Sequence, residues 1–213
     1  MPPGALTPLQ LQATRLFFSL PQSAGFAVAG GAALIAQGLI QRPTRDVDLF
    51  LLDAGTSTVT SAAAAFEAAV DGQGWSHQRV MDQQDFVRLS ITGDQESLII
   101  DLGRDSPAGE PVEATDLGPT LSSRDLAARK TLALFGRAAP RDFADVYDLA
   151  HRYGRDRLLD WAARDDPGFN KQIFADMLAS IDRLTDEDLP VDAKRVSAVR
   201  DYFRAWAVEL APP

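Results

Sequence analysis

Residues 30–50 read GGAALIAQGLIQRPTRDVDLF. This stretch joins a double glycine to an Asp-x-Asp pair across a gap as long as a short helix. The apolar run 47–52 predicts a buried strand, and because side chains alternate along a strand, Asp46 and Asp48 are expected to point to the same face. Two carboxylates at the rim of a sheet need a cation to offset their charge.

Hard oxygen ligands of this kind suit Mg²⁺, which proteins usually hold with one or two carboxylates, completed by substrate phosphates and water. Gly30 and Gly31 follow a predicted strand at 24–29 and precede a predicted helix at 32–40, where the backbone can approach a phosphate closely. Each half alone has an ordinary structural explanation, as a surface acid pair or a simple turn. In this order the two halves predict phosphoryl or nucleotidyl transfer.

The composition indicates an enzyme of modest size. A chain of 213 residues can bury one large domain or a domain with a helical extension. The absence of cysteine excludes a disulfide framework, a thiolate zinc site and a cysteine nucleophile. Neither a signal peptide nor a membrane-spanning apolar run is evident, so we predict a cytoplasmic protein that does not bind membranes. The net charge of −9 argues against a protein that binds nucleic acid nonspecifically over its whole surface, but it is compatible with a local basic face.

Hydrophobic periodicity and turn residues predict a mixed α/β chain. Further strands are predicted at 76–81, 86–92 and 97–102, and further helices at 6–20, 58–70, 122–135, after Pro140, 169–184 and 191–210. Residues 103–120 are rich in Pro and Gly and predict a linker between the sheet and a helical region.

Several motifs together resemble one family. They are Gly30-Gly31, Arg42-x-Thr44-x-Asp46-x-Asp48-Leu49, Lys130, and Arg141-Asp142-x-x-Asp145. In this order they resemble the nucleotidyltransferase toxins of the AbiEii and MenT type, over about residues 25–152. The resemblance implies an α/β (α+β) fold, with a nucleotidyltransferase-like mixed sheet and flanking helices in residues 1–118. A helical C-terminal domain, residues 119–213, is expected to complete the active-site cleft.

The resemblance implies a metal site and a nucleotide site. Mg²⁺ or Mn²⁺ would be held by Asp46 and Asp48, with Asp101 on a neighbouring strand as a third ligand. Asp101 has a second explanation, because an Asp at the end of a strand can cap the turn at Gly103. The residues implied in binding a nucleoside triphosphate are Gly30, Gly31, Arg45 and Lys130. Arg45 could instead offset the charge of the acidic pair.

Two further catalytic residues are implied by the same resemblance. Lys130 would neutralise the triphosphate, although a helix lysine is otherwise most often solvated. Asp145 would orient Lys130 or help to take a proton from the attacking hydroxyl. Structure alone could also explain the acids of this motif, with Asp142 as the N-cap of a helix and Asp145 as its capping-box acid.

Thr44 lies just before the metal pair, where some members of the family are controlled by phosphorylation of a hydroxyl residue. A phosphate there would add about −1.5 to −2 of charge beside the carboxylates and disturb metal and nucleotide binding. We therefore treat Thr44 as a predicted phosphorylation site.

The implied reaction transfers a nucleoside monophosphate from an NTP to the 3′ end of tRNA, which would block aminoacylation and translation. A cognate antitoxin is the implied protein partner. Three alternatives remain at this point: transfer to a small molecule such as an aminoglycoside, transfer to a protein, and a toxin-fold protein that only binds a partner. The intact set of Asp46, Asp48 and Lys130 argues against the last.

Overall fold

The computed structural model describes residues 6–52, 55, 57–93 and 96–211. The chain divides into two compact units, and the division falls between Ser123 and Arg124. Among the described residues, no helix combines the length and the apolarity needed to cross a membrane.

The first unit is built on a seven-stranded mixed sheet, in the order β3-β4-β5-β2-β1-β7-β6. Its strands are β1 (Phe26–Ala29), β2 (Asp46–Leu51), β3 (Ser76–Gln83), β4 (Phe86–Thr92), β5 (Ser97–Arg104), β6 (Glu113–Thr115) and β7 (Gly118–Thr120). The pairs β2–β5 and β1–β7 are parallel, and the other neighbours are antiparallel. The predicted α/β class is confirmed.

Strand β2 alternates as the sequence predicts. Val47, Leu49 and Leu51 are buried, whereas Asp46, Asp48 and Phe50 are half-buried. The two carboxylates therefore share one face of the sheet, because side chains two residues apart in a strand point the same way.

In the described part of the first unit, the sheet is accompanied by the α-helices α1 (Pro8–Phe18), α2 (Gly30–Ala36) and α3 (Val59–Gly72). Phe17 of α1 packs edge-on against Phe26 of β1 and Phe66 of α3, with ring centroids 5.2 and 5.4 Å apart. These three rings are almost fully buried and anchor α1 and α3 to the sheet.

Helix α2 is shorter than predicted and begins two residues earlier, at Gly30. It ends in a Schellman motif, in which Gly38 has φ +65° and the N–H groups of Gly38 and Leu39 donate to the carbonyls of Ile35 and Leu34. Because this motif satisfies the last carbonyls of the helix, α2 stops before the predicted end at Ile40.

The prediction of a linker at 103–120 is wrong, because residues 113–115 and 118–120 form β6 and β7. Thr120 of β7 pairs with Val28 of β1, and the N–H of Leu121 donates to the carbonyl of Val28 at 3.0 Å. Strand β7 also crosses the predicted domain boundary after residue 118.

The second unit is helical. Its helices are α4 (Ser123–Arg137, starting at the boundary), α5 (Pro140–Tyr153), α6 (Arg155–Asp165), α7 (Lys171–Ala179) and α8 (Val196–Leu210). Helix α6 has no counterpart in the sequence prediction, and the helices predicted at 169–184 and 191–210 each include a 3-10 segment. Phe143 meets Phe203 at 5.1 Å and Phe174 meets Trp206 at 5.5 Å in a core of aromatic rings.

Candidate active site

The first glycine of the motif makes room for an aspartate. Ala29 of β1 pairs with Asp48 of β2, and Gly30 follows with φ +62°. A Cβ atom at Gly30 would lie 1.7 Å from Oδ2 of Asp48, which is far inside van der Waals contact. Both the backbone conformation and the position of the Asp48 carboxylate therefore require glycine here.

The second glycine makes room for the loop before β2. A Cβ atom at Gly31 would lie 2.8 Å from the hydroxyl oxygen of Thr44. Thr44 is buried, and its hydroxyl donates a hydrogen bond to Oδ1 of Asp46 at 2.7 Å. Thr44 thus fixes the orientation of one carboxylate, and Gly31 lets Thr44 sit close enough to do so.

A buried glutamine ties this loop to helix α1. The side chain of Gln10 donates from Nε2 to the carbonyl of Thr44 at 3.0 Å. Its Oε1 accepts from the N–H of Thr7, at 2.9 Å, in the capping box of α1. One amide therefore closes the start of α1 and positions the loop that carries Thr44.

Asp101 lies beside Asp48 but is held by an arginine. Asp48 and Asp101 are cross-strand partners in the parallel pair β2–β5, and Arg88 faces Asp101 in the antiparallel pair β4–β5. Nε and Nη2 of Arg88 donate to the two oxygens of Asp101, both at 2.7 Å. These hydrogen bonds raise the pKa of Arg88, and the charges of Asp46 and Asp48 raise it further.

Arg88 is absent from the sequence-based site, although the sequence carries a clue to it. Once Thr92 is placed opposite Ser97 in a hairpin, counting outward along both strands brings Arg88 opposite Asp101. Hairpin register would therefore have paired the two residues without any motif.

The donor set fits a hard divalent cation. Asp46 and Asp48 present carboxylates on one half-buried face, which matches the one or two carboxylates through which Mg²⁺ is usually bound. Within the described residues, no three His, Cys, Asp or Glu side chains form a group suited to a metal ion. The oxygens of Asp101 contact Arg88 in this structure, and its predicted role as a third ligand stays a prediction.

Two arginines border the acidic pair in sequence. Arg42 lies with Nη2 3.4 Å from the position of a Cβ at Gly31, and its Nη1 donates to the carbonyl of Pro43 at 3.1 Å. Arg45 is exposed, and its predicted contact with the nucleotide stays a prediction.

Lys130 and Asp145 lie in the second unit, where they form a buried ion pair. Nζ of Lys130 is 2.9 Å from Oδ2 of Asp145, whose side chain is fully buried. The Lys130 side chain is only 11% exposed, so the alternative of a solvated helix lysine is wrong. Charges buried this deeply are stable only when paired, and loss of one leaves the other uncompensated.

The expected capping role of Asp142 is also wrong. Because Pro140 occupies the first position of α5, the N-cap is Ala139 and Asp142 is already the third helical residue. Both oxygens of Asp142 accept from Arg137, at 2.7 and 3.0 Å. Asp142 is also 3.9 Å from Nζ of Lys130, so it extends the buried charge cluster.

Comparison with known proteins identifies the fold. The structure is similar to the nucleotidyltransferase toxin MenT4 of Mycobacterium tuberculosis H37Rv, with a TM-score of 0.60, 15% identity, and coverage of 94% of this chain and 83% of that chain. It is also similar to JHP933 of Helicobacter pylori, with a TM-score of 0.55, 17% identity, and coverage of 97% and 95%. The predicted nucleotidyltransferase-like fold is therefore confirmed.

The sequence has no significant match among curated proteins. Residues 15–205, however, match the family described as Nucleotidyl transferase AbiEii toxin, Type IV TA system. The match extends beyond both ends of the region that carries the sequence motifs, and it confirms the family resemblance. The chain belongs to the AbiEii family of nucleotidyltransferase toxins, which makes it a transferase with a nucleotide substrate and the toxin of a toxin–antitoxin system.

Proposed function

We propose that this toxin transfers a nucleoside monophosphate from an NTP to the 3′ end of tRNA and thereby blocks aminoacylation and translation. The observation that carries the proposal is the shared face of Asp46 and Asp48, built against Gly30 and steadied by Thr44. The nucleotidyltransferase family supports the reaction type. The tRNA acceptor is what the resemblance to MenT-type toxins implies.

The protein ligands for the metal would be Asp46 and Asp48. When bound, Mg²⁺ or Mn²⁺ would link these carboxylates to substrate phosphates and offset the charge that develops during transfer. Thr44 would hold Asp46 in the ligating orientation through its 2.7 Å hydrogen bond. Gly30 and Gly31, whose Cβ positions face Asp48 and Thr44, would bring the backbone at the start of α2 close to the triphosphate.

In the proposed reaction a hydroxyl oxygen of the acceptor attacks the α-phosphorus. A new P–O bond forms as the bond to the β-phosphate oxygen breaks, pyrophosphate leaves with the electron pair, and the hydroxyl proton passes to solvent water. Lys130 would neutralise the triphosphate oxygens, and Arg45 would add a further cationic contact. The closure of the cleft by the helical domain stays a prediction.

Asp145 has two predicted roles, and its surroundings favour one. Its carboxylate is fully buried and 2.9 Å from Nζ of Lys130. A carboxylate held in this way orients the lysine, whereas a general base needs to reach the proton of the acceptor hydroxyl. We therefore propose that Asp145 positions Lys130.

The direct test uses purified protein, Mg²⁺, total tRNA and each α-labelled nucleoside triphosphate in turn. We expect one or more nucleotides to label tRNA with the wild type and with Asp160→Asn, a control at an exposed acid of α6. The Asp48→Asn and Lys130→Met variants should transfer no label. Equal labelling by Asp48→Asn would refute the metal role of that carboxylate.

The acceptor can be tested separately. If no triphosphate labels tRNA, aminoglycosides and total cell protein are offered as acceptors, and label on either replaces the tRNA proposal. If none accepts label, the protein only binds a partner. If expression of the wild type is toxic and expression of Asp46→Ala is not, the protein is a toxin that acts through the metal site. That result would argue against a drug-modifying enzyme.

Phosphorylation of Thr44 is the proposed means of control. A phosphate on Oγ1 would remove the hydrogen bond to Asp46 and add negative charge beside it. Intact-mass analysis after coexpression with the neighbouring antitoxin tests this proposal. An unmodified Thr44 in a preparation whose transfer activity is suppressed would overturn it.

A further inference from the structure

Residues of four neighbouring strands form a row across the acidic face of the sheet. Asp48 of β2 pairs with Ala29 of β1 on one side and with Asp101 of β5 on the other. Asp101 in turn pairs with Arg88 of β4. Direct cross-strand partners project from the same face of a sheet. Arg88 therefore shares the face of the acidic pair, two strands from Asp48 and on the side away from Gly30.

Arg88 is anchored through one edge of its guanidinium and open at the other. Its Nε and Nη2 donate to the two oxygens of Asp101, both at 2.7 Å, which uses two of its five N–H groups. Within the part of the chain that the structure describes, the remaining N–H groups have no hydrogen-bond partner, and the Arg88 side chain is 40% exposed. Each oxygen of Asp101 keeps a further lone pair, so the anchor is compatible with a metal role for that acid. Arg88 is thus a fixed cation that can still donate to an anion.

Two aromatic rings lie beside this row on the same face. Gly103 of β5 follows Asp101 by two residues and is paired with Phe50 of β2 and Phe86 of β4. A Cβ atom at Gly103 would lie 3.1 Å from the Phe50 ring and 3.3 Å from the Phe86 ring, so glycine lets both rings pack close against β5. Both phenylalanines are half-buried, and the guanidinium of Arg88 lies 5.8 Å from the centroid of the Phe86 ring. An arginine beside accessible rings is the combination that binds the phosphates and stacks on the bases of single-stranded nucleic acid.

The direction of the reaction assigns these groups to the acceptor. In phosphoryl transfer the attacking and leaving oxygens lie roughly in line, on opposite sides of the phosphorus. The proposed triphosphate lies at Gly30 and Gly31, on the β1 side of Asp48, so pyrophosphate leaves on that side. The acceptor hydroxyl then approaches from the opposite side, which β5 and β4 occupy.

We propose that Arg88 binds the phosphodiester next to the attacking 3′ hydroxyl of an RNA acceptor, and that Phe86 provides a stacking surface for a base at that end. This inference rests on the proposed function and deepens it by assigning the acceptor side of the site. The exposed guanidinium attracts an RNA phosphate and repels a polycationic acceptor such as an aminoglycoside. Because bases stack on side chains only when they are unpaired, the acceptor is an RNA with a single-stranded 3′ end.

The test measures fluorescence anisotropy of a fluorescein-labelled RNA minihelix that ends in single-stranded CCA. The full chain is titrated with Mg²⁺ present and nucleoside triphosphate absent, so the readout does not depend on transfer. A blunt-ended minihelix reports binding that does not involve the 3′ end. Thermal melting checks that each variant is folded.

Arg104→Gln is the matched control for Arg88→Gln. Arg104 is also 40% exposed and is also paired with an acid, because its Nε lies 3.0 Å from Asp85. It follows Gly103 directly in β5 and therefore projects from the opposite face of the sheet. Phe86→Leu removes the aromatic ring without a change of charge.

We expect Arg88→Gln to bind the CCA-ended minihelix about tenfold more weakly than the wild type and to reduce the salt slope of binding by about 0.7, as for one contact with a single-stranded phosphate. Phe86→Leu should weaken binding about tenfold because a base loses its stacking surface. Arg104→Gln should stay within about twofold of the wild type, and the blunt minihelix should bind all variants alike. Binding of the CCA-ended minihelix by Arg88→Gln that is as tight as by Arg104→Gln would overturn the inference.

A second pair of variants separates direct contact from an effect through Asp101. Arg88→Gln leaves this buried acid without its arginine, so the substitution is repeated in the Asp101→Asn background, where the acid carries no charge. R88Q/D101N should bind the CCA-ended minihelix about tenfold more weakly than Asp101→Asn does. Equal binding would show that Arg88 acts only through Asp101 and would refute the contact with RNA. The double variant buries no unpaired charge, so it keeps the test decisive if Arg88→Gln does not fold.

Failure of this inference is distinguishable from failure of the proposed function. If the wild type labels tRNA while Arg88→Gln and Phe86→Leu leave the KM for tRNA unchanged, the function stands and the inference fails. If the wild type neither binds the CCA-ended minihelix nor labels tRNA, both fail.

Discussion

Replacement of Gly30 by alanine should disable the metal site through a single methyl group. The new Cβ would lie 1.7 Å from Oδ2 of Asp48, so the carboxylate must withdraw by more than 1 Å to restore a normal contact. Displacement of a reacting group by about 1 Å can reduce activity by about 100-fold. We therefore expect Gly30→Ala to lose about 100-fold in initial rate of nucleotide transfer, with a parallel loss of Mn²⁺ affinity.

Gly38→Ala is the matched control. Gly38 has φ +65°, close to the +62° of Gly30, but no atom lies within 4 Å of its added Cβ. Both variants should lose about 1–2 kcal/mol of stability from the left-handed backbone, which thermal or urea unfolding measures. If Gly30→Ala transfers nucleotide as well as Gly38→Ala does, the contact with Asp48 is not what requires glycine.

Three further predictions concern charge, orientation and metal. Lys130→Met should lower the free energy of unfolding by about 3 kcal/mol, because it removes the lysine that pairs with the buried Asp145. Lys171→Met, at an exposed position, should leave the free energy of unfolding unchanged. Equal urea unfolding midpoints for the two variants would contradict this prediction. Thr44→Val should weaken Mn²⁺ binding about tenfold because Asp46 loses its hydrogen bond, with Thr44→Ser restoring it; an EPR titration in which valine binds as tightly as threonine would refute this role. Chelation of divalent metal by EDTA should stop label transfer and excess Mg²⁺ should restore it, so activity that survives EDTA would exclude a metal-dependent reaction.

Local features of the sequence predicted much of the first unit. The face shared by Asp46 and Asp48 follows from strand alternation alone, and β4 has the predicted bounds. Strands β6 and β7 escaped prediction because each has three residues, too few for a periodic pattern. Strand β7 depends on a partner far along the chain, as the pairing of Thr120 with Val28 shows, and β6 in turn pairs with β7.

The sequence predicts those residues of the candidate site that belong to recognisable motifs. Motifs identify Asp46, Asp48 and Lys130 one by one, but they do not reveal which charge contacts which. The pairing of Arg88 with Asp101 arises from the register of a hairpin, and that of Lys130 with Asp145 from the packing of two helices. Asp142 was misassigned because Pro140 moves the start of α5, which changes the side-chain role of every residue in its first turn.

The double use of Gln10 has a dynamic consequence. Gln10 is 1% exposed, and its side-chain amide contacts both the N–H of Thr7 and the carbonyl of Thr44. Unwinding the first turn of α1 would break both bonds, so helix fraying and release of the loop before β2 are coupled events. In hydrogen exchange the first turn of α1 and the loop before β2 should open as one cooperative unit. The stability of α1 would therefore control how well the loop holds the acidic pair in place.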